Sequence, residues 1–520
     1  MARIGKLPAL VILATISAAA TGLLAQGRRG GPGSTSRATH RQLLIVVDGL
    51  RPDYVTPDVM PNLYALGQRG VVFANHHSVF PTVTRVNASS ISTGAYPERH
   101  GLMGNSVFFP QVDANRFLDT SDKANLLKID AATNGNLLTS QTLGETLQAA
   151  GKKLLVVSAG STGSSFLVNH KVSGGAILHV DYALPDSLSA DVAAAVGAPT
   201  ANAPSDALNR RAVDLFLKVG LPKVDPSVTV MWLTDPDTTA HEHGIGDPVT
   251  VECLRRVDAE IKRVEDGLAA ARLLDVYDIW VTSDHGFSTH TGGVALGDLL
   301  KPFARTLPDG TPRIVTGGDG AIYVRDHDRA DVARIVIALQ GAAKVGAIFT
   351  AAASRGSLDG WAAGTLSFDA IRWTHDRSAE IMFSPDWTDE ANQYGFKGTV
   401  AAGGTAGHGS SSPFDVHNTL IAAGPDLKRA AAITTPSANV DFAPTLLSLL
   451  GVAVPSVMEG RILSEAFANG PNAARLPVRR DTHTVRTPDG SYSVTAMLST
   501  VTTPAGSYRY FDSAKAQRKN

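Results

Sequence analysis

Leu43-Leu44-Ile45-Val46-Val47-Asp48-Gly49-Leu50-Arg51 is the stretch on which the fold turns. Five consecutive apolar residues show no polar alternation, which marks a strand buried on both faces, as in a parallel sheet covered by helices. The run stops at an acid, Asp48. Val228–Leu233 repeats the pattern before Asp235-Pro236-Asp237, and Ile279–Thr282 repeats it before Asp284-His285. Between those two runs Val251, Leu254, Val257, Ile261, Val264 and Leu268 recur at three- and four-residue steps, one face of a long amphipathic helix. Strands alternating with helices predict an α/β chain with parallel strands.

The rhythm continues outward. Met60–Gln68 reads as a helix ending at Gly70, with a strand at Val71–Phe73. Ser140–Ala150, preceded by Thr139 and stopped by Gly151, reads as a helix before the strand Leu154–Val157. Leu420–Ala423 reads as a further strand, and Ala443–Leu450 as a helix closed by Gly451. Two regions depart from this pattern. From Thr289 to Gly404 loops surround one compact unit, a strand at Ala321–Val324, a helix at Arg329–Leu339 and a strand at Ala347–Thr350, expected to form an inserted cap. From Pro477 onward, short runs around Pro488-Asp489-Gly490 and Pro504-Ala505-Gly506 predict β-hairpins.

Composition bounds the function. Hydrophobic residues make up 43% of the 520 residues and charged residues 18%, so a large core is expected and global disorder is not. Lys plus Arg (47) nearly equals Asp plus Glu (48), which argues against a nucleic-acid-coating role. Arg3 and Lys6 precede the apolar run Leu7–Ala25, with small residues before a cut after Ala25 and a Gly-rich linker over 26–40. This reads as a secretory signal over 1–25, and hence an exported, periplasmic or secreted protein; an uncleaved N-terminal anchor is the competing reading. Cys253 is the only cysteine, which excludes an intrachain disulfide. Its place in the amphipathic helix suits a buried apolar role.

The three acidic segments matter jointly. In an open α/β sheet the carboxyl ends of the strands share one edge, where ligands bind. A single Asp after a strand is commonly a turn or cap residue; three of them can converge. Asp237 and His241, four apart, share one face if their segment is helical and can then grip one ion. Asp284 and His285 can do so only from an irregular loop. His408 lies in the Gly-rich run 403–409, whose bland reading is a surface turn. Mixed carboxylate and imidazole ligands suit zinc best among divalent ions. Thr84, in Phe80-Pro81-Thr82-Val83-Thr84-Arg85, is expected at a helix N-terminus, either as an ordinary cap or as a nucleophile where N–H groups attract phosphate.

Asp48-Gly49-Leu50-Arg51, Pro81-Thr82-Val83-Thr84, Tyr96-Pro97-Glu98-Arg99-His100-Gly101, Pro236-Asp237-Thr238-Thr239-Ala240-His241, Ser283-Asp284-His285-Gly286 and His408-Gly409 occur in the order found in the alkaline phosphatase superfamily. The chain most closely resembles its nucleotide pyrophosphatase/phosphodiesterase branch, from about Leu43 to Leu463, including a closing segment at Asn439–Leu446. Pattern and resemblance together imply a three-layer α/β sandwich with a mostly parallel central sheet flanked by helices, an inserted cap subdomain and a C-terminal β-hairpin extension. The implied division is a catalytic core over 41–288 and 405–476, a cap over 289–404 and a β-rich extension over 477–520.

The resemblance also implies site roles. Asp237, His241 and His408 match the ligands of one metal, and Asp48, Asp284 and His285 those of the other, two divalent ions in all. Thr84 matches a nucleophile that bridges them and is transiently phosphorylated. Asn105 matches an Asn that donates to a phosphoryl oxygen. The implied activity is hydrolysis of phosphodiester or pyrophosphate bonds in small-molecule phosphate esters, with phosphomonoester and, further off, phosphonate or sulfate ester hydrolysis as alternatives. A non-enzymatic binding module is the reading from a different class. Two departures bear on substrate. Where the branch has Phe-Pro-Asn-His after the nucleophile, this chain has Arg85-Val86-Asn87-Ala88, and Arg85 either clamps a phosphoryl oxygen or pairs with a surface acid. The Lys-x-Arg pair of threonine-using monoesterases is replaced by the uncharged Gly160, Ser161 and Thr162.

Overall fold

The computed structural model describes residues 40–519, so the segment expected as signal or anchor lies outside the described residues. A nine-stranded sheet forms the centre. Its strands in chain order are β1 (Arg41–Val47), β2 (Val71–Phe73), β3 (Leu154–Ser158), β4 (Ala176–His179), β5 (Ala183–Leu184), β6 (Val228–Leu233), β7 (Tyr277–Thr282), β8 (Leu420–Ala423) and β9 (Ala431–Ile433). Across the sheet they run β9-β2-β8-β7-β1-β6-β3-β4-β5. β1 pairs in parallel with both β6 and β7, and β3 in parallel with β4 and β6. The sheet is therefore mostly parallel. β8 runs antiparallel between β2 and β7, a direction that an apolar run of four residues does not encode.

The doubly buried reading of β1 has a direct structural counterpart. Leu44 and Val46 face one core while Leu43, Ile45 and Val47 face the other, all of them at 0% exposure. Each side chain so buried contributes roughly 1.5–3 kcal/mol. Helix α1 (Pro61–Arg69) and helix α4 (Pro248–Ala270) pack on one of these faces. The α4 stripe Leu254, Val257, Ile261, Val264 and Leu268 lies in that core, and Cys253 is buried beside it. Asp247 caps α4 by accepting the Val249 N–H at 2.9 Å. Asp258 on α4 in turn accepts the N–H groups of Asn62 and Leu63, and so caps α1, whose own Met60 offers no side-chain cap.

Residues within 289–404 build a five-stranded sheet that includes Ala321–Val324, Val345–Thr350 and Ile381–Pro385, with the helix Arg329–Gly341. Its apolar core continues into the C-terminal strands through Tyr492, Val494 and Ala514. Those strands, Val478–Arg486, Tyr492–Thr503 and Gly506–Arg518, form a three-stranded antiparallel sheet that turns at the two Pro- and Gly-containing segments. Among the described residues no helix is long and apolar enough to cross a membrane.

Candidate active site

Register places the acids. Val46 and Val47 of β1 lie opposite Trp232 and Leu233 of β6, and Val46 lies opposite Thr282 of β7. The three strands end together, so the residues that follow share one edge at strand spacing, about 5 Å. The Asp48 N–H donates to Leu233 O and the Asp237 N–H to Asp48 O, both at 3.0 Å, which extends the ladder into the loops. Asp237 and His241 lie on one short helix, α3 (Asp237–His243).

Helix α2 (Thr84–Thr93) presents Thr84 at its first position. Val83 is the N-cap, and its apolar side chain makes no cap bond. Its Oγ1 stands 3.3 Å from His285 Nε2. Every α2 residue except Arg85 is buried, although the sequence is rich in Ser, Thr and Asn. The hydroxyls of Ser89 and Thr93 donate back to the carbonyls four residues earlier, which offsets their burial. Asn87 fixes the approach to Thr84: its Oδ1 accepts the Val79 N–H at 2.7 Å and its Nδ2 donates to Val79 O and Val83 O. Asn439, in the closing segment, donates to Asn87 Oδ1 and to Asp284 O, tying the helix to the Asp284 loop.

Three imidazoles share one orientation. His241 Nδ1–H donates to Ala406 O at 2.9 Å, His408 Nδ1–H to Thr82 O at 2.8 Å, and His285 Nδ1–H to Gly286 O at 2.9 Å. Each Nε2 then points at Asp237 Oδ1, at 3.3, 3.4 and 3.9 Å respectively. A backbone carbonyl holding the far nitrogen is how metal-binding histidines are oriented. The acids follow a matching rule. Asp48 Oδ2 accepts the Trp232 Nε1–H at 2.9 Å and Asp284 Oδ1 accepts the Gly49 N–H at 3.1 Å. The oxygens facing inward, Asp48 Oδ1, Asp284 Oδ2 and Asp237 Oδ1, are buried without a hydrogen-bond partner.

Two groups have metal-ligand geometry. Asp237, His241 and His408 form one, with donor atoms within 4.8 Å of one another; Asp48, Asp237 and His285 form the second on the same criterion. Asp284 Oδ2 joins the second group at 3.2 Å from His285 Nε2. Asp237 Oδ1 thus stands between the two. The first group is open to solvent, with His241 44% exposed, while Asp284 and His285 are fully buried.

Electrostatics point the same way. Burial and the neighbouring Asp284 and Asp237 charges push the Asp48 carboxyl well above its usual range, and burial pushes Asp284 up. Burial acts on Asp237 as well, but the His241 and His408 imidazoles that face its Oδ1 outweigh it and hold that carboxyl low. Carboxylates packed this closely and left without donors are costly unless a cation joins them. The residues present therefore fit divalent metal.

Asn105 lies beside the start of α2, its Oδ1 accepting the Arg85 N–H at 2.9 Å. Arg85 makes no ion pair within 4.0 Å among the described residues, and its Nε is buried without a partner. It does not pair with a surface acid. His243 lies 3.8 Å from Glu242, outside both ligand groups. Reading by strand ends missed Trp232, which orients Asp48, because an indole inside an apolar run looks like core.

Fold and site define a class: an α/β protein with a carboxylate–imidazole cluster, fit to hold metal, at the carboxyl edge of its sheet beside a helix-borne hydroxyl. Residues 42–397 match the type I phosphodiesterase / nucleotide pyrophosphatase family, and the chain belongs to that family of phosphoric ester hydrolases. It is 27% identical over 290 residues to the bis(5'-adenosyl)-triphosphatase enpp4 of Xenopus laevis, covering 54% of this chain and 55% of that one. To human ectonucleotide pyrophosphatase/phosphodiesterase family member 1 it is 25% identical over 247 residues, 47% of this chain and 23% of the relative. The chain thus spans about half the length of the first of these curated relatives and about a quarter of the second. Human ectonucleotide pyrophosphatase / phosphodiesterase 5 shares the fold, with a TM-score of 0.57 at 17% identity over 80% of this chain and 96% of that one.

Proposed function

We propose that the chain hydrolyses phosphodiester or pyrophosphate bonds of small-molecule phosphate esters, with Thr84 as nucleophile and two divalent metal ions held by the residues above. The observation that carries this reading is the Thr84 hydroxyl, 3.3 Å from His285 Nε2, which itself lies within 3.9 Å of three inward carboxylate oxygens that have no donor. Asp237, His241 and His408 would hold one ion, and Asp48, Asp284 and His285 the other, with zinc best suited to the donor set. When bound, such ions would lower the pKa of the hydroxyl and neutralise charge on the phosphoryl group.

The chain's own residues do the rest. Thr84 Oγ1 forms a bond to phosphorus as the bond to the leaving oxygen opposite it breaks. Water then cleaves the resulting phosphothreonine and restores the hydroxyl. Asn105 Nδ2, with Oδ1 fixed by the Arg85 N–H, is turned to donate to a phosphoryl oxygen as charge builds on it. Arg85, with no carboxylate partner, favours phosphoryl groups carrying a second negative charge, which supports phosphomonoesters as a second substrate class. We further propose that the segment 289–404 shapes the leaving-group side, and that the apolar run at residues 7–25 directs export.

The test is hydrolysis of bis-(p-nitrophenyl) phosphate and p-nitrophenyl phosphate with and without a chelator, beside the T84A variant. Expected results are loss of turnover on chelation, restoration by zinc, and a fall of at least about 10³-fold in T84A with metal content unchanged. Chelator-resistant turnover, or an active T84A, would overturn the reading.

A further inference from the structure

Asn105 is held on three sides. Its Oδ1 accepts the Arg85 N–H, and its carbonyl oxygen accepts the Thr120 hydroxyl at 2.6 Å and the Thr120 N–H at 3.0 Å. The third side comes from across the chain. Asp319 Oδ2 accepts the Ser106 N–H at 3.0 Å, and a Cβ placed on Gly104 would lie 2.6 Å from that same oxygen. The carboxylate therefore packs directly onto the 104–106 backbone. Burial pushes the Asp319 carboxyl up, while the Ser106 N–H, the Arg85 charge and the Asn105 N–H pull it down. Asp319 thus faces both residues that flank Thr84 in the site.

Its own loop is built for the approach. Asp319 sits in Gly317-Gly318-Asp319-Gly320, between the strands Ile314–Thr316 and Ala321–Val324. Gly320 has φ +86°, and a Cβ there would meet Phe383 O at 1.9 Å, so only glycine allows the turn that aims the Asp. Asn105 Oδ1 and its carbonyl oxygen are engaged, while its Nδ2 has no hydrogen-bond partner among the described residues.

We infer that Asp319, contributed by the segment 289–404, is a positioning residue that fixes the Asn105 loop so that Asn105 Nδ2 and Arg85 both face the phosphoryl group on Thr84. The inference rests on the roles of Thr84 and Asn105 proposed above. It gives the inserted segment a part in the reacting geometry as well as in the pocket wall. A second-layer carboxylate of this kind acts through the group that it holds, so its effect must vanish when that group is removed.

The experiment compares D319A, D319N, N105A and the double variant D319A/N105A by kcat and KM on bis-(p-nitrophenyl) phosphate. Amide hydrogen exchange of the peptide spanning residues 102–107 is followed in the metal-free protein. N105A is expected to lose about 10²–10³-fold in kcat, and D319A about 10- to 100-fold, with little change in KM. D319A should add less than about threefold in the N105A background. D319N keeps an acceptor oxygen, so it should retain activity within about fivefold and preserve the exchange protection that D319A loses. Independent, multiplying losses, wild-type behaviour of D319A, or equal losses in D319N and D319A would each overturn the inference. T84A separates the two levels: an active T84A sinks the proposed function, whereas an inactive T84A beside an unimpaired D319A sinks this inference alone.

Discussion

The imidazole of His408 lies face to face on that of His285, with ring centroids 3.4 Å apart and planes 12° from parallel. Burial and the adjacent His285 push the His408 ring well below its usual pKa. Both Nε2 atoms face the same carboxylate oxygen of Asp237. The stack is thus the spacer between the two ligand groups: it keeps one imidazole for each while leaving Asp237 common to both.

His408→Ala would remove a proposed ligand from the open group only. The buried group keeps Asp48, Asp284 and His285, whose positions depend on Trp232, Gly49 and Gly286. Metal analysis of zinc-loaded protein should therefore fall from about two equivalents to about one, with turnover down at least about 10²-fold. Retention of both equivalents would refute the division into two groups.

Asp48→Asn should separate stability from function. The inward Asp48 Oδ1 has no donor, and the Asp284 and Asp237 charges help to push its carboxyl up. An asparagine can still accept the Trp232 Nε1–H while its amide donates towards the neighbouring carboxylates. In the presence of chelator, D48N should be about 1–2 kcal/mol more stable than wild type by denaturant unfolding. Zinc should then stabilise D48N, which keeps only the open group, less than wild type. A chelated D48N less stable than wild type would contradict the crowding of charge described for the site.

Trp232→Phe keeps the core volume nearly intact but deletes the N–H that holds Asp48 Oδ2. Affinity for metal, measured by competition with a chromogenic chelator, should weaken by about 10- to 100-fold. Unchanged affinity would mean that Asp48 needs no such support.

How much of this was legible in the sequence follows from which interactions are local. The strand at Leu43–Val47, the acids at the ends of β1, β6 and β7, and the stripe along α4 are set by patterns a few residues long, and they read directly. The two hairpin turns at Pro488–Gly490 and Pro504–Gly506 were equally plain. β8 read as a strand, but its antiparallel direction depends on which edge the returning chain reaches. Asp319 and Trp232 gain their meaning only from partners far away in the chain, Ser106 and Asp48. An isolated Asp among glycines, or a Trp among Val and Leu, carries no sign of such a partner. Arg85 could be read either as a clamp or as half of a surface pair, and nothing in the local sequence says that its buried Nε has no hydrogen-bond partner.

Acid lability should be visible at His100. This ring is fully buried; its Nδ1 accepts the Leu102 N–H at 3.1 Å, so its proton sits on Nε2, shared with Ser90 Oγ at 3.1 Å. A second proton would face a donor. Burial, reinforced by the His375 and Arg377 charges, lowers its pKa to about 3. The sign follows from linkage: the folded pKa is depressed, so the stabilisation is complete above the unfolded value near 6.5 and is lost as pH falls from there towards about 3. Asp278 and Asp441, raised by burial to about 6, act in the opposite sense, their contribution being lost as pH rises through about 6. Comparison of wild type with His100→Asn cancels those two. Asparagine keeps an acceptor for the Leu102 N–H and removes the titrating ring, at a cost of about 1–3 kcal/mol near pH 7.5. Below pH 6 that deficit should shrink by about 1.4 kcal/mol per pH unit, so the two unfolding curves converge and then cross. Parallel stability profiles between pH 7.5 and pH 4.5 would show that His100 takes up its proton in the folded protein without penalty.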